Sequence, residues 1–279
     1  MELLDGKKVK LEILEELKKE LSNYERKLGL VVIEVGDDPA SLVYVGQKAK
    51  MASELDYNFN HIKLDENVSE EEILKIIDEL NNDDMVDGIL VQMPLPKHLD
   101  AKKIQNSIDP YKDVDGLSDV NAGKLMHGVD TLIPCTPYGV MDILKYYKID
   151  VEGKHVVIVG RSDLVGKPLA SLMTNNNATV TVCHSKTKDL IKHTKEADIL
   201  IAAVGKKGLI TGDMIKENAV VIDVGINRVD GKLYGDVDFE TAKEKVSFIT
   251  PVPGGVGQMT VAELAKNVVK AYTLRKDNR

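Results

Sequence analysis

Long apolar runs are missing from this sequence. The longest, such as ILIAAVG at 199–205, fall far short of the ~20 residues that a membrane-spanning helix needs. The amino terminus carries no signal-peptide pattern, so a soluble, cytoplasmic protein with no membrane partner is expected. Charge of one sign is nowhere concentrated: 37 basic and 45 acidic residues, a net charge of −8, are spread along the chain. That argues against nucleic acid or an anionic lipid surface as a partner. Cysteine is scarce, and Cys135 and Cys183 form no CxxC, which excludes a disulfide framework or zinc cluster. The six histidines include no HExxH or HxH spacing that would aim two imidazoles at one ion, so chemistry without a metal is expected. Fixed-period repeats and low-complexity segments are absent as well.

What is present is an alternation of helical and strand patterns. At 279 residues the chain exceeds the roughly 100 to 200 expected of one domain, so two domains or one large α/β unit is the starting point. Val9, Leu11, Ile13, Leu14, Leu17 and Leu21 recur at helical spacing between Lys8 and Lys27. LGLVVIEV follows as a buried strand. Next come a helix across 40–56, a strand near 58–64, a helix from Ser69 to Leu80 with Ser69 and Glu72 as a capping box, and the strand DGILVQ at 87–92. Beyond the Pro- and Gly-punctuated stretch 109–139, a helix near 137–147 opens a second series with strands at 155–159, 178–183, 198–203, 219–224 and 247–250. A long amphipathic helix closes the chain from about Thr260. Alternation of this kind implies parallel sheets, with a domain boundary near 130–140.

The segment VVIVGRSDLVGKPLA runs strand, Gly160, short loop, Gly166, helix. Dinucleotide sites begin this way, because glycine lets the backbone approach a pyrophosphate and the helix start offers unpaired N–H groups. Ser162 stands where GxGxxG has its second glycine. A P-loop is excluded: five residues rather than four separate the glycines, and Pro168 after Lys167 has no hydroxyl for Mg²⁺. A tight turn with no ligand is the plain alternative for this motif taken alone. At the end of the next strand, TVCHSKTKDL, an NAD-specific site would place a carboxylate for the ribose 2′-hydroxyl. Ser185, Lys186 and Thr187 stand there instead, with Arg161 in the first loop as a second clamp. These are donors for a 2′-phosphate, so NADP is favoured over NAD.

Nine motifs in order now coincide with one family: LDGKKV at 4–9, YVGQKAK at 44–50, VQMPLPKH at 91–98, DPYKDVDGLSDVNAGKL at 109–125, IPCTPYGV at 133–140, GRSDLVGKP at 160–168, ATVTVCHSKT at 178–187, DVGIN at 223–227 and ITPVPGGVGQMT at 249–260. Together they resemble the bifunctional methylenetetrahydrofolate dehydrogenase/cyclohydrolase, or FolD, family. The resemblance implies oxidation of 5,10-methylenetetrahydrofolate by hydride transfer to NAD(P)⁺, then hydrolysis of the methenyl product to 10-formyltetrahydrofolate. It implies a folate-binding catalytic domain, 1–136 plus 261–279, with the last helix returning to it, and a Rossmann-type NADP-binding domain, 137–260. It also implies a homodimer contacting through the cofactor domains.

The same resemblance assigns roles by residue. Tyr44 and Lys48 lie one turn apart on one helix face, where an arbitrary pair would be a solvated lysine beside a half-buried tyrosine. Within the motif Lys48 assists hydration and proton transfer, since desolvation and cationic neighbours can lower a lysine's pKa toward neutrality. Tyr44 stacks on the folate ring. Gln92, otherwise a loop cap, hydrogen-bonds and tunes the lysine. Asp115 binds the amino-pyrimidine end of the pterin, while Asp113 is left to turn chemistry before Gly116. Pro253, Gly254 and Gly255 form a rigid loop that substrate approaches. Gly160, Arg161, Ser162, Gly166, Ser185 and Ile226 hold the cofactor. Two departures stand out: Gln258 where the family usually has proline, expected to loosen the start of the last helix, and Asp56-Tyr57 where Gly-Ile or Gly-Phe is common. Another two-domain dehydrogenase of the shikimate or amino-acid type, or a non-enzymatic NADP-sensing module, are the rival readings.

Overall fold

The computed structural model of the chain describes residues 1–277. β1 (Glu2–Leu3) and α1 (Gly6–Leu21) are followed by β2 (Gly29–Val35), α2 (Pro39–Glu54), β3 (Asn58–Leu64), α3 (Glu70–Asn82) and β4 (Gly88–Val91). Two short helices, α4 (Ala101–Asn106) and α5 (Asp119–Met126), lead to α6 (Cys135–Tyr146). Then come β5 (His155–Val159), α7 (Gly166–Asn175), β6 (Thr179–Cys183), α8 (Leu190–Thr194), β7 (Ile199–Ala202) and β8 (Val220–Asp223). A hairpin of β9 (Asn227–Val229) and β10 (Lys232–Tyr234), α9 (Phe239–Ala242), β11 (Phe248–Ile249) and α10 (Met259–Asp277) complete the chain.

Two compact units result, one of Met1–Glu12 with Thr136–Thr260, the other of Ile13–Cys135 with the segment from Val261 on. The expected membership of residues 1–136 is therefore corrected at its start. β1 pairs in parallel with β11, Glu2 opposite Phe248 and Leu3 opposite Ile249, so the first strand extends the sheet of the later unit. A strand of two exposed residues has no periodicity from which to read this.

The unit from Ile13 carries a parallel sheet in the order β3-β2-β4. β2 is buried along its whole length, which is why its sequence reads as nearly continuous apolar residues. Leu30, Val32 and Leu90 join a core with Leu14 and Leu17 of α1, Val45 and Met51 of α2, and Ala262, Ala265 and Val268 of α10. On the opposite face Val31, Ile33, Ile89 and Val91 meet Ile73 and Ile77 of α3 and Ile104 of α4. Full burial of an isoleucine such as Ile77 contributes about 1.5–3 kcal/mol. α3 begins where the capping box predicts: Ser69 Oγ accepts from the Glu72 N–H at 3.2 Å. The lysine-bearing helix α2 starts at an Asp38 cap, whose carboxylate accepts from the Ser41 N–H at 2.9 Å. α2 ends where Asp56 takes a left-handed φ of 57°. Glycine suits that conformation, and aspartate is among the side chains that tolerate it. Tyr57 then packs inward and donates its hydroxyl to Ala265 O at 3.1 Å, tying the end of α2 to α10.

The other unit carries a parallel sheet in the order β1-β11-β8-β7-β5-β6. Its strand order reverses at β5, with β6 on one side and β7 on the other, and the carboxyl end of such a strand is where open α/β sheets hold ligands. The β9–β10 hairpin turns at Asp230 and Gly231, with φ of 50° and 75°. The Asp-Gly pair was its sequence signal, missed because each strand is only three residues long. Gln258 does not loosen α10. A 3₁₀ turn over Val256–Gln258 runs straight into the helix, closed by the Gln258 N–H donating to Gly255 O at 3.0 Å, a bond proline cannot make.

Lys112 is a buried lysine that the sequence did not mark. Its Nζ donates to Leu80 O, Asn81 O and Asp83 O at 2.8, 2.8 and 2.7 Å, so one ammonium closes the C-terminal end of α3. Lys112 itself is 3 % exposed, while the carbonyls it serves lie on half-buried or exposed residues at the end of the helix. Lys112→Met should lower stability by about 2 kcal/mol, since three part-buried carbonyls lose one shared charged donor. Urea unfolding with an unchanged slope is the check, and a loss below about 1 kcal/mol would mean that the carbonyls are satisfied without the lysine.

Candidate functional site

Lys48 and Gln92 meet in the unit from Ile13. α2 leaves the carboxyl end of β2, Gln92 follows β4, and these strands are neighbours, so the helix lies over the end of the adjacent strand. Lys48 Nζ donates to Gln92 Oε1 at 2.6 Å. Gln92 is 8 % exposed, and its Nε2 donates to Met93 O at 2.8 Å. That second bond settles the amide's orientation: its oxygen is turned to the ammonium. Tyr44, one turn before Lys48, is 49 % exposed, an open ring suited to stacking. Lys50 is exposed and lies 4.0 Å from Glu54, a helix-surface ion pair.

Asp115 joins this group through the segment 112–114, which runs beside β4 with the Ile89 N–H donating to Lys112 O at 2.8 Å. Burial lowers the Lys48 pKa, while the charge of Asp115 pulls it back up. Burial raises the Asp115 pKa, and Lys48 opposes that. Each charge is thus costly alone and cheaper in the other's presence. Asp113 belongs to the loop. Its carboxylate accepts from the Leu117 and Ser118 N–H groups at 3.3 and 2.8 Å and from Asn121 Nδ2 at 2.9 Å. Gly116 closes the turn at φ +69°, where a Cβ would lie 2.6 Å from the Ile133 carbonyl carbon.

Cys135, first residue of α6, was not singled out as a site residue. It is buried, and its Sγ donates to Val114 O at 3.7 Å. Burial and the neighbouring Asp115 push its thiol well above the ordinary range, so it is a neutral wall of the site. Its motif IPCTP was the only signal available.

In the other unit Gly160 ends β5 at φ +136°, and a Cβ there would lie 2.2 Å from Ala203 O. No side chain fits. The Gly160 N–H donates to Cys183 O at 2.9 Å, setting the loop after β5 beside the loop after β6. Arg161 and Ser162 in the first loop and Ser185 and Lys186 in the second are all exposed. Thr187 is occupied within its loop, its Oγ1 accepting from the His184 N–H at 2.8 Å. α7 starts without a side-chain cap from Val165, and the Val165 N–H instead donates to Ser162 Oγ at 3.2 Å. A backbone cradle that excludes a Cβ, a helix start and outward basic and hydroxyl groups fit a phosphorylated dinucleotide.

The loop at 251–257 owes its position to the first residues of the chain. The Gly6 N–H donates to Gly254 O at 3.0 Å and the Leu4 N–H to Ile249 O at 2.9 Å, which accounts for LDGKKV. Pro253 is exposed, Gly254 half-buried and Gly255 buried. Ile226 is 51 % exposed, on a loop shaped by two buried carboxylates that sequence reasoning passed over. Asp223 accepts from the Gly225, Asp236 and Val237 N–H groups at 3.0, 2.9 and 2.9 Å. Burial and the charge of Asp236 raise its pKa to about 6 against the pull of those bonds. Asp236 in turn gathers the Val204, Gly205 and Lys206 N–H groups at 2.6, 2.9 and 2.7 Å. Among the described residues no cluster of three or more His, Cys, Asp or Glu is placed to hold a metal ion, and no helix is long and apolar enough to cross a membrane.

Comparison with known proteins agrees along the whole chain. Residues 4–115 match the family profile "Tetrahydrofolate dehydrogenase/cyclohydrolase, catalytic domain", and residues 134–276 match the profile of its NAD(P)-binding domain. The Bifunctional protein FolD of a Nitratiruptor species is 52 % identical over 281 residues, 99 % of each chain. The crystal structure of the FolD enzyme of Campylobacter jejuni superposes with a TM-score of 0.96 at 50 % identity, covering 99 % of both chains. That of Trypanosoma brucei, complexed with NADP cofactor and inhibitor, gives a TM-score of 0.92 at 37 % identity over 98 % of both. A shikimate 5-dehydrogenase from Listeria monocytogenes, 16 % identical with a TM-score of 0.53 over 92 % of this chain and 100 % of its own, shares the fold alone. Two matched domains, and relatives about half identical from end to end, place this chain in the tetrahydrofolate dehydrogenase/cyclohydrolase family.

Proposed function

We infer that this chain oxidises 5,10-methylenetetrahydrofolate to the methenyl compound with NADP⁺ and hydrolyses that product to 10-formyltetrahydrofolate. The observation that carries the reading is the Lys48–Gln92 bond of 2.6 Å beside Asp115, on a half-buried amine, in a chain of this family. Folate lies on the exposed ring of Tyr44, and Asp115 accepts from the adjacent N–H groups of the amino-pyrimidine. Pro253, Gly254 and Gly255 present backbone to the ligands.

Oxidation removes hydride from the carbon between two folate nitrogens and leaves an amidinium-like cation. Electron release from nitrogen drives this step, so the residues around the substrate chiefly position it. NADP⁺ supplies the hydride acceptor when bound. Gly160, Arg161, Ser162 and Gly166 hold the pyrophosphate side, Arg161 and Ser185 the 2′-phosphate, and Ile226 gives an apolar surface. Hydrolysis asks more of Lys48. Water adds to the cationic carbon and loses a proton, and one carbon–nitrogen bond then breaks as its nitrogen gains one. An amine brought below its usual pKa can carry out both transfers, and Gln92, a neutral acceptor, orients it without trapping it as an ammonium. The working form in this reading is a cytoplasmic homodimer joined through the cofactor-binding units, its formyl product serving purine biosynthesis. The family likeness supports that part.

Mixing the protein with methylenetetrahydrofolate and NADP⁺ and following absorbance at 340 nm tests the oxidation. Acid quenching removes the NADPH signal, and supplying methenyltetrahydrofolate without cofactor at neutral pH and following the loss of its own absorbance tests the hydrolysis. No signal with either cofactor would favour an NADP sensor.

Lys48→Met should slow hydrolysis by about 10²–10⁴ while both ligands still bind, with the oxidation also impaired. Full hydrolytic activity in that variant would remove the lysine from the mechanism. Asp115→Asn deletes the charge that raises the Lys48 pKa, so the Lys48 limb of the kcat/KM profile for hydrolysis should move to lower pH. A limb that stays in place or moves upward contradicts the coupling. Arg161→Ala combined with Ser185→Ala should raise KM for NADP⁺ about tenfold or more, with a far smaller change for NAD⁺. Equal changes would place the 2′-phosphate elsewhere.

A further inference from the structure

Asn267 lies on α10 with no exposed surface. Its Nδ2 donates to Val114 O at 2.9 Å and to Ile133 O at 2.7 Å. An amide NH₂ has two hydrogens, and both are used here. Turning the amide over would set its oxygen against two carbonyl oxygens, so the donor orientation is settled by its surroundings. The two carbonyls belong to segments nearly twenty residues apart. One peptide unit leads directly into Asp115, and the other leads through Pro134 into Cys135. The same nitrogen lies 3.8 Å from Cys135 Sγ, which itself reaches Val114 O. Gly116 lets the two backbones touch at this point. The C-terminal helix therefore grips the junction from which Asp115 emerges, without Asn267 being needed at the reacting atoms.

We propose that Asn267 is a positioning residue of the folate site, a two-pronged amide clamp that sets the spacing between the Asp115 turn and the Cys135 segment. The inference rests on the functional reading above and adds the device that holds Asp115 in register with Lys48. A buried asparagine that merely satisfies two carbonyls would affect stability alone. A clamp that aims Asp115 affects folate recognition and the protonation of Lys48, and leaves the cofactor untouched.

The test compares Asn267→Leu, close in size but without donors, with Asn267→Ser, which keeps a single donor. Steady-state constants for methylenetetrahydrofolate and NADP⁺, the pH profile of hydrolysis and the thermal midpoint are measured on each. For Asn267→Leu, kcat/KM for the folate should fall about 10- to 100-fold, mainly through KM, with KM for NADP⁺ within about twofold of wild type. The Lys48 limb should move to lower pH, as for Asp115→Asn, and adding Asn267→Leu to Asp115→Asn should cost far less than it does alone. Asn267→Ser should fall between. A lower thermal midpoint with wild-type folate KM and pH limb overturns the proposal, as does an equal loss for folate and cofactor. Should Asn267→Leu not fold, a wild-type folate KM in Asn267→Ser overturns it equally. A wild-type protein without turnover overturns the functional reading and the clamp with it. Wild-type turnover with unaffected variants overturns the clamp alone.

Discussion

The bond from Lys48 Nζ to Gln92 Oε1, 2.6 Å long, joins a helix to the end of a strand and a cation to a neutral amide. A carboxylate in place of Gln92 would fix the lysine as an ammonium, and an apolar side chain would leave it unpaired in a half-buried position. For the bond to form, α2 must pack on the sheet with Lys48 near the carboxyl end of β4, which requires β2, from which the helix leaves, and β4 to be adjacent and parallel. The apolar face of α2, through Val45 and Met51, secures that packing against Leu30, Val32 and Leu90. Tyr57 pins the far end of the helix to α10. Packing thus brings a charge to a place it would not choose, and the polar partners gathered there make the place tolerable.

Charge is handled differently in the other unit. Asp223 and Asp236 are buried and spend their oxygens on backbone N–H groups, six of them between the two side chains. These carboxylates organise loops at the carboxyl edge of the sheet, where Ile226 and the 204–206 turn stand. Lys112 does comparable work at the end of α3 with the opposite sign. In each case the buried charge substitutes for secondary structure that the loop backbone cannot make for itself.

Much of the fold was legible because its strands are apolar runs between recognisable helices. β3 and β5 fall at the residues their patterns predict, and α3 begins at its capping serine. What escaped was short or polar: the two-residue β1, the three-residue strands of the hairpin, the helix α4 just after β4, and the helix α5 inside the stretch 109–139 read as punctuation. Such elements carry too few residues for a period to emerge, and contacts distant in sequence hold them. The departure at Gln258 shows the reverse error. A missing proline reads as lost rigidity, yet the N–H that proline lacks closes the turn.

By itself the sequence determined the class of the molecule, the order of its elements, the glycine at Gly160 where no Cβ fits, and the motifs that place it in its family. These are local properties, set by periodicity, by the conformations open to each residue type and by short strings of side chains. The motifs already paired Lys48 with Gln92 and left Asp113 to its turn; only the tertiary structure decided the contacts that carry this out, the coupling of Asp115 to the lysine, and the grip of Asn267 on two segments more than 130 residues before it in the chain. Those outcomes depend on which backbone carbonyls and amides burial leaves without water, and that is settled only when distant segments pack.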